Sequence, residues 1–159
     1  MYCQCIVQKR NDISIVNKDD YITTQETVKT DNKDIKIDKL IDIINYNENG
    51  RILVFANYDD TLVQIQEKLD LNGIKHSRLY GHSNTIKKRV RDFTSGELKL
   101  LLLNSKFYGS GLNLQMTTDI ILFHSLDKST EIQVIGRAQR MGRKESLNVH
   151  NLCYDHENK

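Results

Sequence analysis

Leu98-Lys99-Leu100-Leu101-Leu102-Leu103 is the most apolar run in the chain, entered through Ser95-Gly96 and left through Asn104-Ser105. Short, nearly uninterrupted apolar runs bounded by turn residues read as strands that need cover on both faces, so this one predicts a central strand of a parallel sheet. Upstream, Arg51-Ile52-Leu53-Val54-Phe55-Ala56 has the same character, and Lys75 to Tyr80 is a weaker strand closed by Gly81. Downstream, Asp119 to Phe123 and Leu147 to Leu152 complete the set. Between these runs the apolar period changes to that of a helix. Ile37, Leu40, Ile41 and Ile44 recur at helical spacing before Asn49-Gly50, as do Leu62, Ile65, Leu69 and Leu71 before Asn72-Gly73. Asn57 to Asp60 offer cap candidates and early acidic residues for the second of these helices, and Ser83 or Asn84 can cap a short helix ending at Phe93. Strands alternating with helices of this length make βαβ units, hence a three-layer α/β fold with a mainly parallel sheet covered by helices on both faces.

Residues 1–34 are polar, with one apolar run at Ile13-Ser14-Ile15-Val16, and are expected to form an irregular extension; residues 35–155 are expected to form the domain, and 156–159 a polar tail. With 159 residues, 38% of them hydrophobic and 28% charged, and a mean hydropathy of -0.53, the chain has the size and polarity of one soluble domain, without a membrane span. The start, Met1-Tyr2-Cys3-Gln4-Cys5, lacks a secretory signal's basic and apolar regions, so a cytoplasmic or nuclear location is expected. Three cysteines make no disulfide framework, and Cys3-x-Cys5 lacks a second pair that would complete a zinc site, so ordinary thiols and no metal are expected. A net charge of +2 is too small to argue for nucleic acid, so any basic site must be local. Two clusters qualify, Lys87-Lys88-Arg89 with Arg91, and Arg137, Arg140, Arg143 and Lys144. The absence of Pro and Trp, with many Ile, Asn, Lys and Asp residues, suggests an AT-rich coding genome.

The second cluster lies in Gln133-Val134-Ile135-Gly136-Arg137-Ala138-Gln139-Arg140-Met141-Gly142-Arg143. At about 100° per residue, a helix through this stretch puts Gln133, Arg137 and Arg140 in one stripe beside Gly136, with Val134, Ile135 and Ala138 opposite. The apolar side can dock on a sheet while the arginines offer planar donor forks to phosphate oxygens. Gly136 allows a close approach. Taken alone, a basic helix face is more often a solvated face than a binding site, and the same holds for Lys87 to Arg91. The loop after the central strand, Asn104 to Leu114, contains Gly109-Ser110-Gly111, a turn able to expose backbone donors to a phosphate or sugar. Ser105 can contact a backbone phosphate or cap a turn, and Asn113 can bond a ribose or cap the next element.

Together these pieces resemble the second RecA-like lobe of superfamily 2 helicases and translocases, closest to the Swi/Snf-related branch. Arg51 to Asn57 is similar to that family's motif IV strand and Leu79-Tyr80-Gly81 to its Leu-Asp-Gly element. Asn104 to Leu114 is similar to motif V, and Gln133 to Arg143 to motif VI, Gln-x-x-x-Arg-x-x-Arg. The resemblance runs from Lys36 to Leu152, roughly three quarters of the chain. Tyr80 stands where relatives usually carry an acid, the segment from Gly81 to Phe93 is shorter than theirs, and Arg143 replaces a common Gln. These departures resemble the compact helicases of large DNA viruses.

The resemblance implies that Arg140, as arginine finger, and Arg137 reach the γ-phosphate of ATP, which with Mg2+ is bound mainly by a partner N-terminal RecA-like lobe, in cis or in trans. Gln133 would couple the ATP and DNA sites. Gly109, Gly111, Asn113 and Gly136 would approach the nucleotide, while Ser105, Asn57, Lys87, Lys88 and Arg89 would contact the sugar-phosphate backbone of DNA, with RNA as the alternative. The runner-up is a non-catalytic RecA-like module binding nucleic acid or a protein; a plain α/β phosphate-binding domain ranks below it. These 159 residues contain no Gly-x-x-x-x-Gly-Lys-[Ser/Thr]. Asp59-Asp60 follows a strand but suits a helix start better than a magnesium site that would have no phosphate cradle beside it. The purified chain alone is therefore expected to show no nucleic-acid-stimulated ATP hydrolysis; turnover abolished by Arg140→Ala in a phosphate-release assay would overturn this.

Overall fold

The computed structural model describes the backbone of residues 4–12, 22–29, 35–106, 112–139 and 146–154, and the side chains of all but the first two segments and the last two residues. The elements in chain order are β1 (Gln4–Asp12), β2 (Ile22–Lys29), α1 (Ile35–Tyr46), β3 (Ile52–Ala56), α2 (Asp59–Leu71), β4 (Ser77–Arg78), α3 (Ser83–Ser95), β5 (Leu100–Asn104), β6 (Asp119–Leu122), α4 (Lys128–Ala138) and β7 (Leu147–Tyr154). They build one sheet in the order β2-β1-β7-β6-β3-β5-β4. The five strands from β7 to β4 are mutually parallel, as the apolar runs predicted.

Alternation along these strands sorts the core into two layers. Val54, Leu102 and Ile121 face α1 and α2 through Leu40, Ile44, Leu62, Ile65 and Leu69. Leu53, Phe55, Leu101, Leu103 and Leu122 face the other way and pack with Phe93 of α3 and Val134 and Ala138 of α4. Every position of β3 is buried, which is why its sequence is apolar throughout rather than alternating. Lys36, in the first turn of α1, is buried too; its Nζ donates to Phe123 O at 3.1 Å and lies 5.4 Å from the Phe123 ring centroid, anchoring that helix to the end of β6.

Several local expectations change. The segment before α1 is not irregular where it is described: β1 and β2 form an antiparallel pair, and β1 adds to β7 in register Cys5↔Tyr154 to Asp12↔Leu147. Main-chain pairing needs no apolar signature, so a polar hairpin of this kind is hard to read in sequence. Ile13 to Val16 lies outside the described residues. Leu71 is 82% exposed rather than part of the α2 face. None of the expected side-chain caps serves α2 or α3, whose N-caps are Tyr58 and His82 without a side-chain hydrogen bond. Gly96 ends α3 in the left-handed region at φ 90°, a conformation that favours glycine.

Asp119 at the amino end of β6 and His150 within β7 form a buried pair, with His150 Nε2 donating to Asp119 Oδ1 at 2.9 Å. Thr118 Oγ1 donates to Asp119 Oδ2 at 2.7 Å. Burial pushes the Asp119 carboxyl up, but the hydrogen bonds from His150 and Thr118 and the His150 charge outweigh it and hold the pKa below the usual 3.8. A depressed carboxylate pKa stabilises the fold above the unfolded-state value and loses that contribution as pH falls through the folded-state value. Asp119→Asn is accordingly expected to flatten the loss of stability below about pH 4, and His150→Ala to cost about 3 kcal/mol at neutral pH, both read from urea unfolding across pH.

Candidate functional site

The chain leaves β3 toward α2, on the face shared with α1, and leaves β6 toward α4, on the opposite face. These strands are neighbours, so their loops diverge and open a crevice at the carboxyl edge, the usual ligand position in open parallel sheets. Hydrogen bonds tie the crevice floor together. Asn57 N–H donates to His124 Nδ1 at 3.0 Å, Asn57 Nδ2 donates to Ser125 O at 3.4 Å, and Ser105 Oγ donates to Asn57 Oδ1 at 2.5 Å. Asn57 thus joins the ends of β3, β5 and β6. Ser105 is 2% exposed and its hydroxyl is spent on Asn57, so the structure places it as a support for that residue.

Motif VI begins earlier than its sequence signature. Asp127 caps α4, accepting from Thr130 N at 3.0 Å and from Thr130 Oγ1 at 2.5 Å. The Thr130 hydrogen bonds, against slight desolvation, hold its carboxyl below the usual range. The Asp-x-x-Thr spacing carried this cap signal in the sequence. Val134 and Ala138 are buried and Ile135 packs beside them, while Gln133 and Gly136 are exposed and Arg137 is half-buried. Among the described residues, none comes within 4 Å of a Cβ placed on Gly136. The helix ends at Ala138, and Gln139 is extended at φ -91°, ψ 100°. The expected continuation of the stripe to Arg140 falls outside the described residues, as do Gly109 and Gly111.

The end of the loop after β5 is fastened to this helix by Leu114 N–H, which donates to Arg137 O at 3.3 Å, with the Leu114 side chain buried. Asn113, one residue before, is exposed and its Oδ1 accepts from Gln115 N at 3.2 Å in a local turn. At the other end of the carboxyl edge, Asp59 at the start of α2 pairs with the Arg78 guanidinium and accepts from Asn104 Nδ2 at 3.0 Å. The Asn104 hydrogen bond, with some opposition from desolvation and help from the Arg78 charge, lowers its pKa. Lys87 and Lys88 are exposed on α3. Arg89 is turned inward, donating to Arg78 O and, at 3.0 Å, to Tyr80 O, so it braces the end of β4. Sequence patterning did not single out His124 or Arg78, and it gave Asp59 only a place at a helix start, because their partners lie on loops distant in the chain.

Comparisons with known proteins agree with this geometry. Residues 35–142 match the family described as the helicase conserved C-terminal domain. A protein of Acanthamoeba polyphaga mimivirus that carries a helicase name is 32% identical over 169 residues, covering 99% of this chain and 20% of its own length. The chromatin-remodeling ATPase INO80 of Eremothecium gossypii is 29% identical over 145 residues, covering 88% of this chain and 10% of its own. Among solved structures, the C-terminal part of the Fun30 ATPase domain shares the fold with a TM-score of 0.65 at 22% identity, over 72% of this chain and 39% of that one. The chain thus spans about a fifth or less of the length of these curated relatives. With its five-stranded parallel sheet and a family match over residues 35–142, the chain belongs to the helicase conserved C-terminal domain family.

Proposed function

We propose that this chain is the second lobe of an ATP-dependent DNA helicase or translocase, completing an ATP site whose phosphate cradle belongs to another lobe. The observation that carries it is the hydrogen bond from Leu114 N–H to Arg137 O, which fastens the loop after β5 to the last turn of α4. One exposed surface then holds Gln133, Gly136 and Asn113, with Arg137 half-buried beside them. A charged guanidinium, a carboxamide and a glycine that permits close approach suit the phosphate and sugar of a nucleotide. ATP with Mg2+ would supply the phosphoryl chemistry when bound. For their part, Arg140 and Arg137 would neutralise charge on the transferring group, Gln133 would orient it, and Gly109, Gly111, Asn113 and Gly136 would admit the ribose and phosphates.

The nucleic-acid surface in this reading is the rim around Asn57, Lys87 and Lys88, with Ser105 and Arg89 acting from behind. DNA is the first choice, in line with a relative named chromodomain-helicase-DNA-binding protein 1, and RNA the second. Contacts to the sugar-phosphate backbone make affinity insensitive to sequence and steeply dependent on salt.

Mixing the chain with a P-loop lobe of a related helicase is expected to restore nucleic-acid-stimulated ATP hydrolysis. In that mixture, Arg140→Ala should lower turnover by about 10³-fold or more, and Arg140→Lys should not rescue it, because a point charge does not replace a planar fork. Restored binding without turnover would favour a non-catalytic module instead. Titration of labelled duplex should lose affinity steeply from low to high salt, and Lys87→Glu with Lys88→Glu should weaken binding and reduce the salt slope.

A further inference from the structure

Two tyrosines stand open at the carboxyl edge, Tyr58 after β3 at 60% exposure and Tyr80 after β4 at 57%. Only β5 lies between their strands, which puts the two backbones about 10 Å apart at ordinary strand spacing. Each ring is held in place without being buried. Tyr58 meets the His124 ring edge-on, with centroids 5.3 Å apart and planes at 81°. Tyr80 has the Arg78 and Arg89 guanidiniums 5.1 and 5.2 Å from its ring centroid. Asp59 connects the two positions: it follows Tyr58 in the chain, pairs with Arg78 and accepts from Asn104. The cations at this edge that face solvent are Lys106, just after β5, and Lys87 and Lys88 near the start of α3.

Large aromatic surface left in water has a cost unless a ligand covers it, and two rings with cations between and beside them match one kind of polymer well. Unpaired bases present flat faces to stack on such rings, while their phosphates are drawn by the lysines; in a duplex those faces are already stacked on one another. Rings fixed beforehand by His124, Arg78 and Arg89 lose little freedom on binding. Tyr80, the residue that departs from the family's acidic pattern, becomes the position that distinguishes this surface.

We propose that the carboxyl edge binds single-stranded nucleic acid by stacking unpaired bases on Tyr58 and Tyr80, with Lys87, Lys88 and Lys106 holding the phosphates. This rests on the nucleic-acid reading above and adds base contact to it. The test titrates the purified chain with a labelled oligothymidylate, an abasic oligonucleotide of equal length and a duplex. The oligothymidylate should bind tighter than the abasic strand by roughly 5- to 100-fold for each stacked base. Tyr58→Ala and Tyr80→Ala should each remove that advantage and leave abasic binding unchanged, whereas Tyr58→Phe and Tyr80→Phe should keep it; thermal melts by circular dichroism verify that each variant folds. Equal, salt-dependent binding of abasic and base-bearing strands would overturn the stacking and leave the backbone reading standing. Equal displacement by poly-glutamate would reduce the surface to plain charge and overturn the stacking, and binding of none of the three would overturn both readings.

Discussion

Burial of β3 and β5 on both faces is the constraint on which the rest of the structure depends. Two strands this apolar cannot face water, so helices must cover both sides of the sheet. α1 and α2 take one side, α3 and α4 the other, and the chain must pass from one side to the other. It does so at β4, between α2 and α3, while the neighbouring strands β3 and β6 send the helices that follow them to opposite sides. The crevice at the carboxyl edge is a consequence of that crossing. Polar residues gathered there were not drawn together by attraction for one another; they sit where apolar strands stop and loops part.

Much of this was legible in the sequence because apolar period records which face is buried. The helical faces of α1, α2 and α4, and the runs that became β3, β5, β6 and β7, followed from residue spacing alone. Where the signal is not apolar, the reading fails. β1 and β2 join the sheet by main-chain hydrogen bonds, which leave no mark in side-chain pattern. The end of α4 at Ala138 was equally hidden, since Gln139 carries none of the Gly or Pro signals that announce a helix stop. The motif's regular spacing suggested one continuous helix, whereas the described helix stops at Ala138 and Gln139 is extended.

That break bears on how such a surface can act. A residue within a helix is held by the i to i-4 ladder and by the packed face beneath it, here Val134 and Ala138. A residue beyond the helix end depends on its loop and on whatever meets it. Arg137 belongs to the first kind, with its carbonyl also engaged by Leu114 N–H. Arg140 follows an extended Gln139 whose buried Oε1 finds no hydrogen-bond partner among the described residues.

The carboxyl edge shows the same division among its polar groups. Ser105 and Arg89 were candidates for contact by residue type, yet each is engaged with a neighbour, as are Asp59 and Arg78 beside them. Groups tied in this way keep their desolvation satisfied and fix the backbone ends of β3, β4 and β5. What they leave facing outward is a different set: Lys87, Lys88, Lys106 and the rings of Tyr58 and Tyr80. Residue type says which side chains are able to meet a ligand; hydrogen-bond accounting says which are still available to do so. At this edge the second criterion keeps Lys87 and Lys88 of the residues expected to meet a nucleic acid, sets Ser105 and Arg89 behind them as supports, and adds the exposed rings of Tyr58 and Tyr80.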